Sequence, residues 1–149
     1  MNYAAVRTRY LDDAVATASP ATLLTMLYDR LVLDLTRAEA AQRSGDRATA
    51  NGQLLHAQDI ISELLSTLDV GAWDGARQLM SVYTFLLSEL VSANVSGDAD
   101  RTAACRELVE PLREAWHQAA AQLSGAPTLE PVGAVPAGLG VARGELGVG

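Results

Sequence analysis

Apolar residues recur every three or four positions through most of this chain, in four long stretches separated by short breaker segments. That spacing puts each apolar set on one side of a helix turning about 100° per residue, and it cannot be laid out as alternating strands. Ser19-Pro20 opens the first long stretch, with serine as N-cap and proline at the first helical position, where its missing N–H has no partner to lose. The stretch runs to about Arg43, stops at Ser44-Gly45, and carries Leu24, Leu27, Tyr28, Leu31, Leu35 and Ala38 as its core stripe. Asp46 caps the next, with Ala50, Leu54, Ala57, Ile61, Leu64, Leu65 and Leu68 in register until the segment Asp69–Gly75 breaks it. A third runs from about Gly75 to Val95, with a stripe of Leu79, Val82, Tyr83, Leu86, Leu90 and Ala93. The fourth runs from about Ala99 to Leu123, with Leu108, Leu112, Ala115 and Ala119 expected to face one way. Pro111 lies inside it, and a kink is expected there because the apolar stripe continues across the proline.

A shorter helical pattern, roughly 2–16, precedes these four and places Tyr3, Val6 and Tyr10 on one side. Residues 124–149 break the pattern: seven glycines and three prolines, little charge and no period read as a flexible tail. Connections this short place consecutive helices antiparallel. The expected architecture is all-α. It comprises an N-terminal accessory helix in 1–18, an antiparallel up-down four-helix bundle in 19–123, and the tail.

Charge and composition narrow the function. The chain carries −7, and every cation is arginine. An acidic chain without a basic cluster repels phosphate backbones, so no nucleic-acid partner is expected. A single cysteine, Cys105, permits neither an internal disulfide nor a thiolate metal site. The opening residues lack the apolar core of a signal peptide, and no apolar run is expected to span a bilayer. A soluble cytoplasmic protein with no membrane insertion follows as the expectation.

A search for chemistry yields no catalytic constellation and no cofactor. Glu114-x-x-His117 has the spacing of a di-iron ligand pair, but His56, the other histidine, has Gln53 rather than glutamate three positions earlier. His56 would suit a phosphotransfer bundle only with a nearby cation for the phosphoryl group, and Ala57-Gln58-Asp59 follows it. Cys105 lies among Ala103, Ala104 and Leu108 and reads as packed rather than reactive. The expectation is a protein that is not an enzyme and holds no metal. A phosphotransfer or metal-binding bundle stands as the alternative.

The apolar surface exceeds what a small bundle needs. Met26 and Leu33 fall opposite the core stripe of their helix, interleaved with Arg30 and Arg37, and Leu23 lies on its flank. Leu55 and Ile60 lie off the next stripe; Met80, Leu87 and Val91 widen the third, and Phe85 lies beyond it. The expected partner-binding residues are Tyr3, Tyr10, Leu23, Met26, Leu33, Leu55, Ile60, Phe85 and Leu87, forming a groove for an amphipathic helix or for a segment that folds on binding. Cover by the N-terminal helix, or a homodimer on the same faces, would use the same surplus.

Several segments together resemble the flagellar chaperone family FliS. They are Tyr10-Leu-Asp-Asp-Ala-Val15 followed by Thr17-Ala-Ser-Pro20, the run Leu23, Leu24, Met26-Leu27-Tyr28-Asp29, and Ala57-Gln58-Asp59-Ile60-Ile61 with Glu63-Leu64. Gly75 through Tyr83 with Leu90 and Ala93-Asn94, and Leu112-Arg113 with Ala115-Trp116, complete the series. The resemblance implies a cytoplasmic export chaperone that binds the C-terminal segment of flagellin, prevents early polymerisation and delivers it to the flagellar export apparatus, without nucleotide or metal. The family has glycine after Leu-Tyr-Asp where Arg30 stands here, and its N-terminal tyrosines are closer than Tyr3 and Tyr10.

Overall fold

The computed structural model describes residues 19–123 together with Ala5. The four long patterns become four helices, α1 (Pro20–Arg43), α2 (Arg47–Thr67), α3 (Ala76–Ser96) and α4 (Ala99–Leu123), with no strand among the described residues. Apart from Ala5, the expected accessory helix lies outside them, as does the tail.

Local chemistry sets the boundaries. The Ser19 hydroxyl accepts from the Thr22 N–H at 3.2 Å, and the Asp46 carboxylate accepts from the Thr49 N–H at 3.1 Å. Each satisfies one of the N–H groups that a helix start leaves unpaired. α3 stops at Gly97, whose left-handed φ of 68° suits a residue without Cβ. α4 runs unbroken through Pro111, which is exposed. The proline removes one helical N–H donor, on a side of α4 that faces outward.

α1 packs against α2 and α4, and α3 packs against the same two, closing a ring around one core. That core holds Tyr28, Leu31 and Leu35 of α1, Leu54, Ile61 and Leu64 of α2, Leu79, Tyr83, Leu86 and Leu90 of α3, and Cys105 and Val109 of α4. Burying each large aliphatic contributes about 1.5–3 kcal/mol. Polar clips fix the register. At one end the Gln42 side chain donates to the Ala93 carbonyl at 3.1 Å, Asn94 donates to Asn51 at 2.8 Å, and Arg43 pairs with Asp100 at 3.1 Å. Toward the other end Arg113 pairs with Asp29 at 2.6 Å, and Trp73 meets Trp116 edge-on with ring centroids 6.4 Å apart.

Three expectations need correction. The inward stripe of α4 is Thr102, Cys105 and Val109, with Leu112 and Trp116 partly buried, while Leu108 and Ala115 are exposed. Leu108 and Val109 are adjacent apolar residues, and an alanine-rich helix leaves two neighbouring stripes almost equally apolar. Ile60 is not off the core of α2 but within it, 6% exposed. Finally, α3 is long and apolar enough, by length and composition, to cross a membrane. Its Leu79, Tyr83, Leu86 and Leu90 instead fill the core of this ring. The hydropathy is raised further by Phe85, Val91 and Val95, which face outward.

Candidate partner-binding surface

The outward faces of the ring carry the surplus. On α1, Met26 and Leu33 are 36% and 38% exposed; seven residues return a helix almost to its starting angle, so the two stand on one line two turns apart. Leu55 of α2 and Val91 of α3 are each about half exposed. They lie four and three residues from the Asn51–Asn94 clip, on the seam between those helices. Phe85 of α3 is the most open of the expected site residues that are described, at 54%, and Leu108 of α4 is exposed as well.

The remaining expected residues are placed differently. Leu23 and Leu87 are half-buried, and Leu87 packs against the core. Ile60 is closed off from any surface partner by the chain itself. Tyr3 and Tyr10 lie outside the described residues. Leu108, assigned inward from sequence, is an outward residue that spacing alone missed; the signal that would have found it is Trp116, whose contact with the core requires the other α4 stripe.

The charges of α1 are sorted by face. Its three acids all turn toward neighbouring helices. Asp29 accepts from Arg113 Nε and pairs with His117 Nε2, both at 2.6 Å. Asp34 is fully buried, held by Arg30 Nε at 2.9 Å and by His56 Nδ1 of α2. Glu39 accepts from Arg106 of α4 at 2.9 Å and from Arg43 at 3.0 Å. Partial burial opposes ionisation of Asp29 and Glu39. The hydrogen bonds from His117 and Arg113 to Asp29, and from Arg106 and Arg43 to Glu39, outweigh it and hold both carboxyls below their ordinary values.

These arrangements bind and position; they do not set up a reaction. The Cys105 thiol is 3% exposed, and burial pushes its pKa up to about 11, which suppresses the thiolate. His117 turns to Asp29 while Glu114 is exposed, so the i, i+3 pair does not converge on a shared point. Among the described residues no three histidine, cysteine or carboxylate side chains gather where a metal could sit.

A family model described as flagellar protein FliS matches residues 2–123, and the match ends with α4. The chain belongs to the FliS family. The flagellar secretion chaperone FliS of Bacillus subtilis (strain 168) is 32% identical over 112 residues, covering 75% of this chain and 84% of that protein. The flagellar secretion chaperone FliS of Vibrio cholerae is 28% identical over 109 residues, covering 72% and 80%, and that of Salmonella typhimurium is 29% identical over 117, covering 72% and 82%. Within the FliS match, the Leu-Tyr-Asp segment has a structural role. Tyr28 enters the core, and Asp29 ties α1 to α4. Arg30, which stands where the FliS resemblance leads one to expect glycine, reaches Asp34 and keeps a half-exposed side chain.

Proposed function

We propose that this FliS family member is a cytoplasmic flagellar export chaperone that binds the C-terminal segment of flagellin, prevents its premature polymerisation and delivers it to the flagellar type III export apparatus. The observation that carries the reading is that α1 and α3 hold exposed apolar residues on faces their core stripes do not use: Met26 and Leu33 on one, Phe85 and Val91 on the other. A segment destined for a filament core has apolar faces of its own, and covering them on such a surface keeps them from one another. The names of the curated relatives support the same role. In this reading the helices run up-down and antiparallel, residues 1–18 form an accessory helix, and 124–149 form a tail outside the binding unit.

The test is a double substitution, Met26→Glu with Leu33→Glu, in the full chain. Calorimetric titration with the C-terminal segment of the cognate flagellin should show binding abolished, with helical circular dichroism and melting little changed. Light scattering should show the unsubstituted chain taking up the segment. Normal binding by the variant, or a self-dimer indifferent to the segment, would overturn the assignment.

A further inference from the structure

The exposed residues of α1 are neutral or arginine: Met26, Leu33 and their neighbours stand beside Arg30, Arg37 and Arg43, and all three acids of the helix, the partly exposed Asp29 included, are paired with side chains of neighbouring helices. This is unexpected in a chain of net charge −7. α2 and α4 hold more exposed acids than exposed arginines: Asp59 and Glu63 with Arg47 on one, and Asp100, Glu107, Glu110 and Glu114 on the other. A segment carrying both apolar and acidic residues is therefore repelled on either side of α1 and attracted along it.

Spacing makes the stripe readable by a helix. Met26 and Leu33 are seven apart, Arg30 and Arg37 are seven apart, and each arginine follows an apolar residue by four. That is the alternation an amphipathic helix meets when its apolar edge lies along another helix and its flanking charges reach across. The two arginines are not equivalent. Asp34 accepts from Arg30 Nε only, so a fully buried carboxylate holds the side chain while its two terminal amino groups remain for another acceptor. Arg37 has no ion-pair or hydrogen-bond partner among the described residues.

We infer that Arg30 and Arg37 form a charge-reading strip on α1 that selects a partner helix bearing carboxylates beside its apolar edge. The inference rests on the proposed function and names the chemistry the flagellin segment must present here. Arg30, positioned in advance by Asp34, loses less side-chain freedom on pairing than an unanchored arginine would.

Calorimetric titration of the full chain with the cognate flagellin C-terminal segment, at about 50 mM and about 500 mM NaCl, tests it. Arg37→Gln should weaken binding about two- to threefold at low salt with melting unchanged. Adding Arg30→Gln should bring the loss to about five- to tenfold and flatten the salt dependence, with a lowered melting temperature because buried Asp34 loses one of its two partners. Arg37→Glu should weaken it further, and exchange of a facing acid of the segment for lysine should restore part of the loss. Binding that ignores both arginines and salt overturns this inference and leaves the proposed function standing. No binding by the unsubstituted chain overturns both. Arginine dependence that disappears on deleting residues 1–18 would place the chain's own Asp12 and Asp13 opposite the strip and overturn the assignment to the partner.

Discussion

The phenolic oxygens of Tyr28 and Tyr83 lie 2.5 Å apart and share a hydrogen bond across the core, joining α1 to α3 on the diagonal of the ring. The helices on that diagonal lack the broad packing each has with α2 and α4, so two hydroxyls bridge what side-chain packing does not. Trp116 of α4 stacks at a tilt on Tyr28, with centroids 6.4 Å apart, which brings a third helix to the same point.

Removing one hydroxyl takes away the other's hydroxyl partner in a buried place, although Tyr28 keeps the Trp116 indole beside it. Tyr83→Phe should cost about 1–3 kcal/mol in urea unfolding, and Tyr28→Phe a similar amount. The double variant should cost less than the sum of the two, since no buried hydroxyl is then left without a partner. Strict additivity would mean that the two hydroxyls are not coupled.

The same pair gives an alkaline limit. Burial is the main cause that lifts both tyrosines above their ordinary value of 10.0. In the unfolded chain they lose protons near that value, whereas in the folded chain they keep them. The stability is therefore fully present below about pH 10 and is lost as pH rises above it. With no lysine in the sequence, the other side chains whose ordinary range lies there are Cys105, also raised by burial, and Tyr3 and Tyr10, which the natural chain and the double variant share. Urea midpoints between pH 9 and 11 should fall for the natural chain and fall less steeply for Tyr28→Phe with Tyr83→Phe.

On the acid side the sign reverses. The depressed carboxyls of Asp29 and Glu39 contribute stability that is present above their ordinary values of 3.8 and 4.5 and is lost as pH falls through the folded ones. Asp29 is 43% exposed, so water screens its pairs, and Asp29→Asn should cost no more than about 1 kcal/mol at pH 7. The difference between this variant and the natural chain should vanish in melts near pH 2. A difference that persists there would locate the effect in packing rather than charge.

Asp34 should matter more than Asp29. Asp34→Ala removes a fully buried carboxylate from between Arg30 and His56, both of which are half-exposed and can turn back to water. That escape keeps the expected cost at about 1–3 kcal/mol, below that of stranding a buried charge. Asp34→Leu should recover much of it, because an apolar residue of similar size fills the space without needing partners. A thermal melt of the two variants decides the point.

Gly75 has a steric role next to the aromatic pair. A Cβ added there would overlap the six-membered ring of Trp73, so Gly75→Ala must displace that indole. Its edge-on contact with Trp116 should be lost at about 0.5–1.5 kcal/mol. Trp73 and Trp116 are the two tryptophans of the chain, so intrinsic fluorescence reads the change directly. Red-shifted emission with unchanged helical circular dichroism is expected; an unshifted spectrum would show that the ring accommodates the methyl group.

The helices and their ends were legible in the sequence because they depend on neighbours within a few residues. Ser19-Pro20, Ser44-Gly45 and Asp46 act through local hydrogen bonds and backbone angles, and three of the four core stripes follow from spacing alone. The α4 stripe was not legible, because Leu108 and Val109 compete on almost equal terms until Trp116 finds Tyr28. Ile60 was misplaced for a related reason: its angle on α2 is marginal, and its burial follows from packing in the folded ring.

By itself, the sequence determined a helical fold, the absence of a catalytic motif, and surplus apolar residues such as Met26, Leu33 and Phe85 on helices that already had a core stripe. Tertiary structure decided where the charges went. Nothing in the local order of residues 29–39 says that Asp29 will meet Arg113, that Asp34 will meet His56, or that Glu39 will meet Arg106, since each partner is 22 or more residues away. Those distant pairings occupy the acids of α1 and leave Arg30 and Arg37 outside beside Met26 and Leu33. Helical periodicity is a property of neighbours, whereas the sign of a surface depends on which charges the folded chain has already neutralised.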